Sequence, residues 1–227
     1  MTRIEAIAFD LDGTLVDSAG GVAHALNAAL VAHGLAPFGL ELVRSWIGDG
    51  PDASIARALV ASGRDAQGEL PQRLRAAFDA ATLRDPMAGS RVFDGIAEMF
   101  DSMPPLSCAV VTNKPTLLAR AVLNAAGLQR HVTHVFGADE ASQRKPAAHL
   151  LLAAAERLGV APGALLMVGD GVPDGGAAQA AGCLMAWAGW GYGHGVTQTV
   201  PGAWHLDTPA DLLPILAAHA RGATDEH

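Results

Sequence analysis

Four short apolar runs, each closed by turn residues, stand out along the 227-residue chain: Ile4 to Phe9, Ser107 to Val111, Ala164 to Val168 and Leu184 to Ala188. Runs of this length between turn signals, alternating with helical patterns, predict buried strands of a parallel sheet. A weaker alternating run, His131 to Phe136, is a fifth candidate. Apolar residues three or four apart predict helices over Ile96 to Met103, Leu117 to Ala126, Ala148 to Leu158 and Gly176 to Ala181. Gly127, Gly159 and Gly182 sit where helices should stop. One gap breaks the rhythm. About eighty residues separate the first strand from the helix near Gly95, where a βα connection normally takes about 2 to 6. Helical patterning recurs inside it, over Val22 to Ala32, Leu40 to Ile47, Ser54 to Ser62 and Leu70 to Thr82. The expectation is an α/β core in two sequence pieces, 1–16 and 87–220, interrupted by a helical bundle over 17–86 and followed by a frayed tail over 221–227.

Composition narrows the function classes. Half of the residues are hydrophobic and 17% are charged, enough apolar content for a large core and too much for a disordered chain. Fifteen Lys and Arg against 23 Asp and Glu give a net charge of −8 with no basic cluster, which disfavours nucleic acid as a partner. Cys108 and Cys183 are far apart and lack metal-ligand spacing. No apolar run approaches the roughly 20 residues that cross a bilayer, and Met1 to Phe9 does not read as a signal peptide, so a cytoplasmic location without membrane partners is expected. Oligomeric state is not readable.

Three predicted strands end in polar residues: Asp10 after AIAF, Thr112 after CAVV, and Asp170 after LLMVG. In a parallel sheet these ends share one edge, the edge at which open α/β folds bind ligands. The first reads Asp10-Leu11-Asp12-Gly13-Thr14, and with it the chain resembles the haloacid dehalogenase-like hydrolase superfamily, whose signature is DxDGT. The likeness continues in order through Thr112-Asn113-Lys114, Lys145-Pro146 and Gly169-Asp170 with Asp174, nearly the whole chain. It implies a Rossmann-like parallel sheet with helices on both faces and an inserted small helical-bundle cap.

The resemblance also implies roles. Asp10 would attack phosphorus, dividing one displacement into two; Asp12 would protonate the leaving oxygen and then activate water. Members that cleave carbon–halogen bonds typically lack this second Asp, so its presence favours phosphoryl transfer. Thr112 and the amides near Asn113 would bind phosphoryl oxygens, and Lys145 would supply positive charge. Mg²⁺ would be held by Asp10, the backbone carbonyl of Asp12 and Asp170, with Asp174 on metal-bound water. A cation also answers a physical problem, because converging carboxylates repel one another.

The insertion corresponds to the cap that selects substrate. Trp46-Ile47-Gly48-Asp49-Gly50, Arg57-Ala58-Leu59 and Trp190-Gly191-Tyr192-Gly193 look like bacterial phosphoglycolate phosphatases. This makes Asn113, Gly48 and Arg57 candidate substrate contacts and 2-phosphoglycolate the leading small phosphorylated metabolite. Rival readings are a sugar-phosphate phosphatase, a phosphosugar mutase and a catalytically silent binding protein. The chain departs from the family pattern at Gly171, where Ser or Thr is frequent, at Gly175 and Gly176, where a branched residue and a helix former are usual, and at Ala147, where a second proline is frequent. Asp49 departs too, since a carboxylate there would repel the substrate's own.

Overall fold

The computed structural model describes residues 3–193 and 200–220, so the expected frayed tail lies outside the described residues. Six strands form one sheet: β1 (Ala6–Phe9), β4 (Ser107–Thr112), β5 (His134–Gly137), β6 (Leu165–Gly169), β7 (Leu184–Ala188) and β8 (Trp204–Leu206). Their spatial order is β5-β4-β1-β6-β7-β8, and every pairing is parallel. In the chain order of these six strands this is 3-2-1-4-5-6, the doubly wound arrangement in which the strand order reverses beside the first strand. The C-terminal ends of β1 and β6 flank that reversal.

The sheet's period of two sorts its side chains into two cores. Ile7, Phe9, Cys108, Val110, Leu166 and Val168 face one layer, where Ile96, Met99, Val122, Leu123 and Leu212 cover them. Ala6, Ala8, Val111, Leu165 and Met167 face the other, covered by Leu151, Ala154, Ala155, Ala177 and Ala178. The covering helices are α5 (Ile96–Ser102), α6 (Thr116–Ala125) and α9 (Leu212–Ala220) on the first face, with α7 (His149–Leu158) and α8 (Val172–Ala181) on the second. Gly127, Gly159 and Gly182 follow helices with φ between 70° and 72°, the left-handed conformation that favours glycine at a helix end.

Between β1 and α5 lie α1 (Ala19–Ala32), α2 (Leu40–Arg44), α3 (Pro51–Ala61) and α4 (Glu69–Arg84). Leu26, Leu30, Val43, Ile55, Leu59, Leu74 and Phe78 bury against one another in a third cluster, joined from the sheet side by Leu118 of α6. A two-stranded antiparallel pair, β2 (Val16–Asp17) with β3 (Arg91–Val92), ties the two ends of this helical segment together.

Several elements differ from expectation. The fifth strand begins at His134 because Gln129–His131 forms a short 3₁₀ turn. The sixth strand and α9 escape pattern reading: three residues are too few to show alternation, and Pro214 interrupts the apolar run of α9. α8 begins at Val172 rather than Gly176. Pro173 lies in its first turn, where the absent N–H costs nothing, and Asp174 Oδ2 accepts the Gly171 N–H at 2.9 Å.

The departures at Gly175 and Gly176 have a packing cause. A Cβ on Gly175 would lie 2.3 Å from Trp187 Cη2, and one on Gly176 would lie 2.7 Å from Pro146 Cβ. Trp187 of β7 and Pro146 therefore occupy the volume that larger residues would fill. Gly175→Val should lower unfolding stability by about 1–3 kcal/mol through overpacking, read as a shift of the denaturant midpoint. An unchanged midpoint would remove this account of the glycine.

Candidate active site

The site begins where β1 ends. Ile7, Phe9 and Leu11 all enter the same core cluster, so alternation continues past the strand and leaves Asp10 and Asp12 on the opposite side from Leu11. The Asp10 N–H bonds to the Val168 carbonyl at 2.9 Å, while Leu15 and Val16 N–H groups fold back onto the Leu11 carbonyl at 3.1 and 3.0 Å. Buried Leu11 and Leu15 thus hold the motif at the sheet edge.

Asp10, Thr112, Asn113, Lys114, Lys145, Asp170 and Asp174 are all buried. Lys145 is the centre of charge. Its Nζ donates to Asp174 Oδ1 at 2.6 Å and to the Val111 carbonyl at 3.0 Å, and lies 2.8 Å from Asp10 Oδ1. Thr14 Oγ1 donates to Asp170 Oδ1 at 2.9 Å, and the Tyr192 N–H donates to Asp170 Oδ2 at 2.7 Å. Asp174 has one oxygen on Lys145 and the other capping α8, so its orientation is fixed twice. That cap uses only the N–H of Gly171, so it does not need the hydroxyl that the family often carries there.

Two carboxylates thus contact one lysine, and a third stands beside them. Oxygens of Asp10, Asp170 and Asp174 lie within 4.8 Å of one another. Burial pushes the Asp10 carboxyl up to about 7; Lys145 opposes the rise, and Asp174 and Asp170 add to it. Asp170 rises to about 6, from burial and then from Asp174. Burial alone would lower the Lys145 ammonium, but Asp10 and Asp174 outweigh it and hold the group above its usual range. The one cation against Asp10 Oδ1 among the described residues is the Lys145 ammonium, at 2.8 Å and shared with Asp174. Three buried carboxylates beside a single ammonium leave an excess of negative charge, which fits a divalent cation held by oxygen ligands. The Asp12 carboxylate is not in this cluster: both of its oxygens accept from Lys114 Nζ at 2.5 Å.

The helical segment closes over this edge. Asn113 Nδ2 donates to the Gly48 carbonyl at 2.8 Å and to the Lys145 carbonyl at 3.1 Å, and Asn113 Oδ1 accepts the Lys145 N–H at 2.7 Å. Asp52 of α3 binds both Arg75 of α4 and Arg144, which precedes Lys145. A cleft of about 330 Å³ opens between the two parts, lined by Asp10, Lys145, Asp170 and Asp174 below and by Arg44, Gly48 and Asp49 above. Arg57 does not line it; its guanidinium is paired with Asp49 and donates to the Trp46 carbonyl at 2.8 Å. The partner matters more than the position, since Arg57 offsets the carboxylate that would otherwise repel an acidic substrate.

Two contributors stand in the sequence motifs without a sign of the contacts they make. Lys114 was visible only as part of a motif, and its pairing with Asp12 spans 102 positions. Tyr192 donates its hydroxyl to Asp17 Oδ1 at 2.8 Å and accepts the Ala19 N–H at 2.9 Å. It therefore links the Asp170 loop to the start of the helical segment, a contact without any local signal.

The family model for haloacid dehalogenase-like hydrolases matches residues 4–182. The chain belongs to that family. Over 222 residues it is 36% identical to a phosphoglycolate phosphatase of Pectobacterium atrosepticum, covering 95% of this chain and 94% of the relative. It is 37% identical over 211 residues to the phosphoglycolate phosphatase of Escherichia coli, covering 85% and 84%. A crystal structure from Haemophilus somnus, described as a predicted phosphoglycolate phosphatase, superposes with a TM-score of 0.86 at 30% identity, covering 95% of this chain and 99% of that one. This hydrolase is a phosphoric monoester hydrolase. Among the described residues, no helix is long and apolar enough to cross a membrane.

Proposed function

We propose that this hydrolase is a magnesium-dependent phosphatase of 2-phosphoglycolate that works through an aspartyl-phosphate on Asp10. The observation that carries the reading is the buried trio of Asp10, Asp170 and Asp174, with a single ammonium, that of Lys145, between two of them. Asp10 and Asp170, with the backbone carbonyl of Asp12, would hold the cation, and Asp174 would orient its water. When bound, the cation supplies the positive charge that lets the carboxylates and a phosphoryl group share one pocket.

The chain's own residues do the rest. An Asp10 oxygen attacks phosphorus, the bond from phosphorus to the ester oxygen breaks, and the Asp12 carboxyl gives its proton to the departing alkoxide. Water then attacks phosphorus, Asp12 takes a proton from it, and the bond to Asp10 breaks to release phosphate. Thr112 and the amides near Asn113 bind phosphoryl oxygens, and Lys145 favours the ionised form of Asp10 that attacks. The helical segment 17–86 serves as the cap over the two-piece core, with Gly48 and its neighbours facing the bound ester. The neutralisation of Asp49 by Arg57 supports an acidic substrate.

A panel of phosphate esters tests the reading. 2-Phosphoglycolate should exceed hexose phosphates in kcat/KM, with inorganic phosphate as the product, and chelation should abolish turnover until magnesium is restored. A hexose phosphate ranking first would overturn the substrate, a rearranged ester would mark a mutase, and turnover that survives chelation would remove the metal.

A further inference from the structure

Lys114 has a position that the steps above leave unused. Its side chain is 7% exposed, and among the described residues its ammonium is paired only with Asp12, through both carboxylate oxygens at 2.5 Å. An ammonium buried to this degree needs anionic partners, and Asp12 is the one it has among the described residues. Beside this pair lies a second, smaller cavity of about 30 Å³ under the helical segment. Val22, Ile47, Pro51 and Phe78 line one side, Asp10, Asp12, Thr112 and Asn113 line the other, and Lys114 is its one cation among the described residues. The small cavity and the large cleft share Asp10, Asp12, Ile47 and Gly48. They therefore meet at the residues proposed as nucleophile and acid.

This arrangement divides the substrate between two compartments. The phosphoryl group belongs with Asp10, Lys145 and Asp170 in the cleft, and the ester oxygen must reach Asp12 to receive a proton. Whatever the ester oxygen carries then extends past Asp12, toward Lys114. In 2-phosphoglycolate a carboxylate stands one methylene from that oxygen, so a group bound at Asp12 brings its carboxylate within reach of the Lys114 ammonium. The apolar side of this cavity suits a methylene and its single ammonium suits a carboxylate, while the Asp10 and Asp12 carboxylates at its mouth are engaged by Lys145 and Lys114.

We propose that Lys114 is the specificity residue for the leaving group, binding an anionic group placed one carbon from the ester oxygen. The inference rests on the phosphoglycolate reading and adds the receptor for its carboxylate. In the free enzyme the Asp12 carboxylate occupies the ammonium that the substrate carboxylate shares once bound. Arg44 of the cap, like Lys145 of the core, lines the phosphoryl cleft and not the small cavity.

The test compares 2-phosphoglycolate with ethyl phosphate, which keeps a two-carbon leaving group and lacks the carboxylate. In Lys114→Met and Lys114→Gln the ratio of the two kcat/KM values, divided by the parent's ratio, should fall on the order of 30-fold, as expected for a lost charged hydrogen bond. Normalising to the parent cancels the difference in leaving-group basicity. The fall should appear mainly in KM for 2-phosphoglycolate, and Lys114→Arg should recover part of it. A lysine that only positions Asp12 would depress both substrates equally, and that result overturns the proposal. So does a loss of the ratio in Arg44→Met with Lys114→Met unaffected. A parent enzyme with no preference for 2-phosphoglycolate over ethyl phosphate overturns the substrate reading and this one with it. Equal losses in the variants of a parent that does prefer it overturn this one alone. Either of the two neutral variants suffices if the other does not fold, as judged by thermal melting.

Discussion

Replacing Asp10 with asparagine should cut phosphate release by roughly 10⁴-fold or more, the scale of losing a catalytic nucleophile, while leaving the protein folded. The amide is almost the same size and shape as the carboxylate, but it cannot form an acyl phosphate. Stability should move the other way. The Asp10 carboxyl rises from 3.8 to about 7 in the fold, chiefly through burial. A carboxyl raised in this way costs nothing below its unfolded value, and its cost grows as pH climbs to the folded value, because ionisation is then easier in the unfolded chain. Without divalent cation, the asparagine variant should therefore melt at or above the parent temperature at pH 8, with the difference fading toward pH 4. Turnover in Asp10→Asn within about 100-fold of the parent would sink the nucleophile assignment, and a collapse of the melt would show that the charge is structural.

Lys145→Met should be harmful in both respects. Its ammonium lies against Asp10 and Asp174 with its side chain 2% exposed. Removing it leaves three buried carboxylates without their fixed counter-charge, for an expected loss of about 3–5 kcal/mol. Turnover should drop on the order of 10³-fold, as when a preorganised charge on a transition state is lost. The stability deficit should depend on pH. Lys145 opposes the rise of the Asp10 carboxyl, so its removal extends the destabilising window upward from about 7. The deficit should be largest near and above neutrality and shrink toward pH 4, where the carboxyls protonate. A divalent cation should recover part of it by replacing the missing charge. A pH-independent deficit in chemical denaturation would mean that the lysine acts through packing alone.

The reactive edge is legible in the chain because strand ends are local features. An apolar run of four or five residues followed by Asp, Thr or Gly-Asp marks both a buried strand and its polar exit, and parallel pairing brings the exits together. Trp204–Leu206 and Leu212–Ala220 were not legible, because one is too short for periodicity and the other carries an internal proline. The start of α8 was hidden for a related reason. Val172-Pro173-Asp174-Gly175-Gly176 has the composition of a turn, and only the Asp174 cap and the packing of Trp187 and Pro146 make it a helix.

The sequence by itself determined the sheet-and-helix class, the place of the inserted helices and the residues that meet at the reactive edge, since each depends on burial patterns within a few neighbours. Tertiary structure alone decided how the charges are partnered: Lys145 between Asp10 and Asp174, Arg57 on Asp49, and Lys114 on Asp12 across 102 positions. Ion pairing depends on distance and burial in three dimensions, and neither leaves a periodic trace along the chain.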